Sequence, residues 1–288
     1  MTFLEKWLTL VEKKNSVLCA GLDPPGFALG RGDKGLPQNA DKHQWCRNYL
    51  DAVHPFCTAV KFNIQYWKEP GDMEFLKELY SCAPSMELVV IEDSKIADIG
   101  SSNDAGLFSA AARADAVTIA PFGGNMLEAA EQKDKREIAL ITLCLMSNQE
   151  YQQEKQKLVP IENSMLPEGE YISCRGRSYI EQYLYLVREA RKNRIDGIVL
   201  GAPSSENHIS YEEIEKTARL AGPSMTVLCP GVGAQGGSAE ILFQHFGRDR
   251  VIVNCSRSLM FPRGSLSNPR EQREAARYYQ ELLNEQRG

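Results

Sequence analysis

The sequence has few residues of the kinds that bind transition metals. Its 288 residues include only four histidines, and no two of its eight cysteines form a CxxC pair. A zinc site is therefore not expected, because structural zinc sites need several such ligands close together. Some cysteines, such as Cys19 and Cys229, lie in apolar runs, where the thiol acts as a small apolar side chain. We expect reduced thiols and a cytoplasmic protein.

The sequence also lacks a basic run and a long apolar segment. Its net charge is −5, with acids and bases mixed along the chain, so neither a nucleic-acid track nor a membrane-binding stripe is expected. Near the N-terminus, apolar residues at helical spacing, among them Trp7 and Val11, predict an amphipathic helix. Charged residues such as Glu5 and Lys6 interrupt it, which argues against a signal peptide or a membrane span.

The chain does contain a repeated alternation of short apolar runs and longer amphipathic segments. The apolar runs are typical of parallel strands buried on both faces. They predict strands at residues 17–22, 58–63, 87–93, 115–120, 138–144, 197–201, 224–229 and 250–254. The amphipathic segments predict helices near residues 41–54, 72–82, 102–113, 124–133, 178–193, 211–220, 237–246 and 268–285.

Eight strand–helix units in succession predict an α/β fold, a single (β/α)8 TIM barrel that forms one catalytic domain over residues 1–288. An open doubly wound sheet is the alternative, but no change in composition divides the chain into halves. Residues 24–40 and 147–177 are longer than ordinary connections and follow strand ends. They are either functional loops at the mouth of the barrel or tolerated surface insertions.

Charged residues follow three consecutive predicted strands. Asp23 and Lys61 end the first two, while Asp93 and Lys95 end the third and are two residues apart, so an extended strand points them to the same face. Because consecutive barrel strands are neighbours, we expect these four side chains to meet in one mouth as alternating acids and ammoniums. Asp98 follows in the next turn. A solvated network of salt bridges is the alternative interpretation.

A glycine-rich segment, PGVGAQGG, follows the seventh predicted strand at residues 230–237. Its spacing formally matches the dinucleotide-binding motif GxGxxG, but that motif expects an acid at the next strand end, and the next strand ends at Asn254. Barrels often bind phosphate with the loops after strands seven and eight, so a phosphate cradle is the better interpretation. Arg257, just after the eighth strand, can bind a phosphate through two parallel hydrogen bonds.

The remaining polar residues near strand ends carry weaker signals. Ser147 follows the fifth strand and suits the amide edge of a ring, although a turn or cap role is the simpler interpretation. Ser101 or Ser102 could cap the helix that begins there. We assign no catalytic role to the histidines, His43, His54, His208 and His245, which lie in polar surroundings.

The chain resembles the orotidine 5′-phosphate decarboxylases, in particular their longer bacterial branch. The resemblance covers nearly the whole sequence, and DxKxxDI followed by PGVGAQGG is its most specific part. The matching segments are GLDPP (21–25), VKFN (60–63), DSKIADIG (93–100), MSN (146–148), PGVGAQGG (230–237) and SRS (256–258). Two features depart from the pattern: FNIQYWKEPG after Lys61, and Ser102 where many members carry threonine.

The resemblance implies decarboxylation of orotidine 5′-phosphate to uridine 5′-phosphate, the last step of pyrimidine synthesis, without a metal or an organic cofactor. It implies that Lys95 protonates the carbanion, Asp93 lies against the substrate carboxylate, and Lys61 bridges Asp93 and the ribose. Asp98 would cross a homodimer interface into the partner's site. The implied substrate-binding residues are Asp23, Ser102, Ser147, Pro230, Gln235, Gly236, Ser256 and Arg257.

Three other functions stay open for this pattern. A Schiff-base aldolase needs a neutral lysine, and the acids beside Lys95 favour its charged form instead. A magnesium-dependent sugar-phosphate decarboxylase or isomerase would use Asp23, Asp93 and Asp98 around the metal, although two lysines already balance these acids. A non-catalytic barrel that binds a phosphorylated ligand would show binding without turnover.

Overall fold

A computed structural model of the protein describes residues 1–162, 171–233 and 236–288. Its strands are β1 (Leu18–Leu22), β2 (Ala59–Asn63), β3 (Val89–Ile96), β4 (Ala116–Ile119), β5 (Ala139–Leu145), β6 (Leu158–Ile161), β7 (Ile172–Cys174), β8 (Arg177–Glu181), β9 (Gly197–Leu200), β10 (Thr226–Pro230) and β11 (Val251–Cys255). The strands β1–β5 and β9–β11 form a closed parallel barrel, which the pairing of β1 with β11 completes. The predicted barrel is thus confirmed.

Helices alternate with the barrel strands along the chain. They are α1 (Phe3–Lys14), α2 (Lys42–Val53), α3 (Asp72–Cys82), α4 (Gly100–Ala111), α5 (Met126–Arg136), α6 (Tyr151–Lys155), α7 (Gln182–Lys192), α8 (Tyr211–Ala221), α9 (Glu240–Phe246), α10 (Arg257–Met260) and α11 (Pro269–Arg287). Every residue of β1, β5 and β11 is buried, because helices cover the outside of the barrel while side chains fill its inside.

The helix α1 packs across the end of the barrel where the strands begin. A capping box between Thr2 and Glu5 starts this helix, as the amphipathic pattern predicts. The fully buried Trp7 donates a hydrogen bond from its indole nitrogen to the carbonyl of Asp249, 2.7 Å away and just before β11. Lys6 contacts Asp115, just before β4, at 2.6 Å. The opposite end, where the strands finish, is left to form the mouth.

The helix predicted over residues 178–193 is wrong at its start. Residues 177–181 form β8, which pairs antiparallel with both β6 and β7, and the helix begins only at Gln182. Arg175 and Gly176, both with positive φ, make the two-residue turn between β7 and β8. Burial alternates along β8, as in a sheet with one covered face. The prediction of a loop over residues 147–177 is therefore also wrong for α6, β6 and β7.

The helix predicted from residue 102 begins earlier, at Gly100. Its capping residue is Ile99, which makes no side-chain capping bond, so neither Ser101 nor Ser102 caps it. The eight cysteines are all free thiols, and six of them are buried. Within the three described ranges, no helix combines the length and the apolar surface that crossing a membrane would require.

An ion pair between a buried carboxylate and a partly exposed guanidinium fastens β3 to the segment that follows α4. The carboxylate of Glu92, whose residue is only 2% exposed, accepts bonds from Arg113 at 2.6 Å to Nε and 3.1 Å to Nη2. Tyr80 and Ser94 donate hydroxyl bonds to the same carboxylate at 3.1 and 2.6 Å. Without the guanidinium, a charged carboxylate would remain in an environment with little water.

We therefore predict that Arg113→Ala lowers the free energy of unfolding by about 3 to 5 kcal/mol, as expected when one partner of a buried pair is removed. Arg136→Ala is the matched control. Its guanidinium binds Asp104 through two bonds of 2.7 and 3.1 Å, but both side chains are about 30% exposed, so the loss should be much smaller. Urea unfolding of both variants measures the difference, and equal losses would contradict the prediction.

Candidate active site

A cavity of about 770 Å³ opens at the end of the barrel where the strands finish. Its volume lies in the range of sites for small organic ligands. The residues around it come from almost every barrel strand and from the loop at 24–40. They are Asp23, Pro25, Gly30, Arg31, Lys34, Lys61, Asn63, Tyr66, Asp93, Lys95, Thr118, Leu143, Met146, Ser147, Asn148, Val199, Leu228, Pro230, Gly231, Val232, Asn254, Ser256, Arg257 and Ser258.

Asp93 lies at the centre of the charged side chains in this cavity. One of its carboxylate oxygens accepts a bond from the Lys61 ammonium at 2.8 Å, and the other accepts one from Lys95 at 2.6 Å. Asp93 and Lys61 are both buried, whereas the Lys95 side chain is 44% exposed. Lys61 also lies 3.6 Å from Asp23. The four residues expected to meet in one mouth do so.

The pairing keeps the two buried groups charged. Burial alone would raise the pKa of the Asp93 carboxyl, but the ammoniums of Lys61 and Lys95 outweigh it and hold that pKa well below its usual value. Burial likewise opposes the charge on Lys61, yet the carboxylates of Asp23 and Asp93 raise its pKa above the usual value. Both groups are therefore ionised throughout the physiological pH range.

Lys95 reaches Asp93 through a strand irregularity and not through a regular extended strand. The register of β3 against β4 shifts between Glu92 and Ile96, and Lys95 itself has a φ of 49°. A non-glycine residue in this left-handed region costs about 1 to 3 kcal/mol. The expected proximity of Asp93 and Lys95 is thus confirmed, but its expected cause is wrong.

Thr118 is a member of this cluster that the sequence interpretation missed. Its hydroxyl donates to Asp93 at 2.9 Å and accepts the backbone N–H of Lys95, also at 2.9 Å. The side chain is therefore the local support for both the carboxylate and the strained backbone. Its signal in the sequence is a single polar residue within the apolar strand β4.

The closing strands of the barrel bring Ser256 to Asp23. The Ser256 hydroxyl donates to the Asp23 carboxylate at 2.8 Å and receives a bond from the Asn254 amide at 3.3 Å. A Cβ atom on Gly21 would lie 1.8 Å from the Ser256 oxygen, so only glycine allows this approach. Asp23 and Ser256 thus form one polar wall of the cavity.

The glycine-rich segment and Arg257 form another wall. Pro230, Gly231 and Val232 line the cavity together with Arg257. Gly233 has a φ of 101°, and a Cβ there would lie 2.7 Å from the Ser258 oxygen and 2.9 Å from the Tyr279 oxygen. The glycine-rich backbone and Arg257 thus line the same cavity, while their predicted role as a phosphate cradle stays a prediction.

The outcome differs among three further residues that were predicted to bind substrate. Ser147 lines the cavity after β5. Gly236 has a φ of 64° and is exposed, outside the cavity lining. Gln235 lies outside the described residues, so its predicted contact with phosphate stays a prediction.

Asp98 and Ser102 do not line the cavity of their own chain. Both are exposed, Asp98 just before α4 and Ser102 in the first turn of that helix. Asp98 accepts a bond from the adjacent N–H of Ile99 at 2.9 Å. The buried amide of Asn125 donates to the Asp98 carbonyl at 3.1 Å, which fixes the backbone of this turn.

The acids of the cavity are not arranged as a metal site. In the part of the chain that the structure describes, no three His, Cys, Asp or Glu side chains come together as ligands. The Lys61 ammonium lies between Asp23 and Asp93, at 3.6 and 2.8 Å from their oxygens. It contacts the oxygens that a divalent ion would have to contact.

Comparison with other proteins relates this chain to one enzyme family. Residues 16–257 match the family model described as orotidine 5′-phosphate decarboxylase / HUMPS. The orotidine 5′-phosphate decarboxylase of Halorubrum lacusprofundi is 30% identical over 305 aligned positions, which cover all of both chains. The protein of the same name from Paracidovorax citrulli is also 30% identical, over 306 positions and the full length of both chains.

Solved structures give the same relationship at the level of the fold. The orotidine monophosphate decarboxylase of Leishmania donovani has a TM-score of 0.72 at 21% identity, over 100% of this chain and 99% of that one. The decarboxylase of Methanocaldococcus jannaschii, solved with the inhibitor BMP, has a TM-score of 0.65 at 21% identity, over 93% and 98%. Since the family model matches residues 16–257 of 288 and full-length relatives carry the same name, this chain belongs to the orotidine 5′-phosphate decarboxylase / HUMPS family.

Proposed function

We propose that this chain is a carboxy-lyase that converts orotidine 5′-phosphate to uridine 5′-phosphate and carbon dioxide, in the cytoplasm and without a metal or an organic cofactor. The observation that carries the proposal is the buried Asp93 carboxylate between the Lys61 and Lys95 ammoniums, in the same cavity as Arg257. The whole chain would act as one catalytic unit, since the cavity takes residues from Asp23 to Ser258.

The proposed reaction starts with electrostatic repulsion in the bound state. Asp93 stays ionised because of its two ammonium partners, so a substrate carboxylate placed beside it is repelled. The bond between the pyrimidine ring and its carboxylate breaks, carbon dioxide leaves, and the electron pair remains on the ring carbon. The fixed Lys95 ammonium stabilises this growing negative charge without having to reorganise.

Lys95 would then complete the reaction as the proton donor. Its ammonium transfers a proton to the ring carbon, which gives uridine 5′-phosphate and a neutral lysine that regains its proton from water. Lys61 would hold Asp93 and contact the ribose, as its 2.8 and 3.6 Å contacts with Asp93 and Asp23 suggest. Thr118 would keep the Lys95 backbone and Asp93 in place.

The other cavity residues would bind the two ends of the nucleotide. Asp23, paired with Ser256, suits the ribose hydroxyls, and Ser147 suits the pyrimidine edge. The phosphate dianion would lie against Arg257, whose planar guanidinium matches its geometry. The residues proposed to complete this phosphate site are Pro230, Gln235 and Gly236.

A homodimer would bring Asp98 into the partner's site. The support is an exposed apolar surface around this residue: Ile99, Phe108, Phe122 and Leu127 are between 52% and 61% exposed. These side chains belong to α4, α5 and the turns before them. Large apolar side chains clustered at a surface mark contacts between proteins. Ser102, in the first turn of α4 and four residues after Asp98, would reach the nucleotide from this side.

The direct test follows the absorbance of orotidine 5′-phosphate with and without a chelator. Turnover should be the same in both, because lysine ammoniums and not a metal balance the acids. Dialysis against chelator followed by added magnesium is the control. Activity that disappears with the chelator and returns with magnesium would favour the metal-dependent alternative, and no turnover at all would refute the proposal.

We predict that Lys95→Ala lowers kcat by about 10³-fold or more, since proton transfer contributes this order of rate. Binding of uridine 5′-phosphate, measured by calorimetry, should persist because the phosphate site is intact. Lys133→Ala is the matched control: it also removes a lysine from an aspartate pair, with Asp196 at 2.9 Å, but beside the start of β9, away from the mouth. Turnover that survives in Lys95→Ala would remove this lysine from its role.

Mixing two inactive variants tests the role of Asp98. If Asp98 acts in the partner's site, a heterodimer of Lys95→Ala and Asp98→Ala has one site with both defects and one intact site. An equal mixture should then regain about one quarter of wild-type activity, because half the dimers carry one good site of two. Each variant alone is the control. No recovery after subunit exchange would show that Asp98 acts within its own chain or not at all.

A further inference from the structure

A second groove adjoins the main cavity at Arg257, and its lining does not include the charged cluster of Asp23, Lys61, Asp93 and Lys95. Its volume is about 480 Å³, and α11 and the segment after α10 form much of its wall. It shares three residues with the main cavity, namely Lys34, Arg257 and Ser258. The two spaces are therefore adjacent, and Arg257 lines both of them.

Three cationic and two acidic side chains line the groove, so positive charge is in excess there. Lys34, Arg257 and Arg263 line it, and none of the three forms an ion pair with the carboxylates of the described residues. Two acids also line it, but both are engaged: Glu271 accepts the N–H of Asn268 at the start of α11, and Glu274 binds an arginine outside the groove. An anion that enters the groove would find three cations that no carboxylate of the described residues pairs with.

We propose that this groove is a second anion subsite, which receives the β-phosphate of a nucleoside 5′-diphosphate whose α-phosphate lies at Arg257. A second phosphate attached to the first would extend past Arg257 into the adjoining groove. There it would meet Arg263, which lines the groove but not the main cavity. Charge-assisted hydrogen bonds to phosphate are among the stronger polar contacts. A uridine 5′-diphosphate would thus bind as a competitor of the substrate, an inference that rests on the proposed function.

Calorimetry with uridine 5′-monophosphate, uridine 5′-diphosphate and inorganic pyrophosphate tests the groove. The diphosphate should bind about tenfold more tightly than the monophosphate, the size of one good charge-assisted contact. Arg263→Ala should remove this advantage, change monophosphate binding less than about twofold and leave turnover unchanged. Arg257→Ala should weaken both nucleotides. The matched control is Arg277→Ala, an exposed arginine of α11 that does not line the groove.

Each of the other outcomes would refute one identified part of the proposal or of the proposed function on which it rests. A diphosphate that binds no more tightly than the monophosphate, or an Arg263→Ala variant that weakens both equally, refutes the subsite while the proposed function stands. Pyrophosphate that binds as tightly as the diphosphate refutes the nucleotide assignment. Diphosphate binding that depends on Arg263, without turnover of orotidine 5′-phosphate, retains the subsite and refutes the proposed function. Binding of none of the three refutes the subsite, and it refutes the proposed function as well only if orotidine 5′-phosphate is not turned over.

Discussion

The active cavity depends on one interaction, the contact of the buried Asp93 carboxylate with two ammoniums. A carboxylate in this position would be costly without partners, and a lone buried ammonium at Lys61 would be equally so. The attraction between Asp93 and Lys61 offsets the cost of burying the two charges. The same pairing keeps both side chains ionised at physiological pH. The site can therefore hold strong charges in a fixed geometry before a ligand arrives, which is the condition for electrostatic catalysis.

The two ends of the barrel differ in what their side chains contact. At the end where the strands begin, charged and aromatic side chains of α1 fasten distant strands: Trp7 reaches Asp249, two residues before β11, and Lys6 reaches Asp115, the residue before β4. At the mouth, the charged side chains of Asp23, Lys61, Asp93 and Lys95 lie together. The strained backbone of Lys95 lies at this end, held by Thr118. Strain of this kind persists only where the surrounding structure determines it.

Closure of the barrel has a chemical consequence. Because β1 pairs with β11, the start and the end of the chain meet, and Ser256 contacts Asp23 over a separation of 233 residues. The glycine at position 21 makes this contact possible. Beyond the same closing strand, Arg257 lines two adjacent spaces, and Lys34 and Arg263 add positive charge to the second of them.

The sequence by itself determined the eight barrel strands, the family, and the four charged residues that meet at the mouth, but not Thr118 beside them. A continuous apolar run is typical of a parallel strand that is buried on both faces. The C-terminal ends of such strands converge in any closed barrel. Tertiary structure alone decided that residues 177–181 pair as β8 instead of continuing a helix, and that Lys95 turns through a left-handed backbone supported by Thr118. It also decided which cations face the second groove. The physical reason is that these features come from contacts between residues far apart in the chain, and local propensity carries no information about such partners.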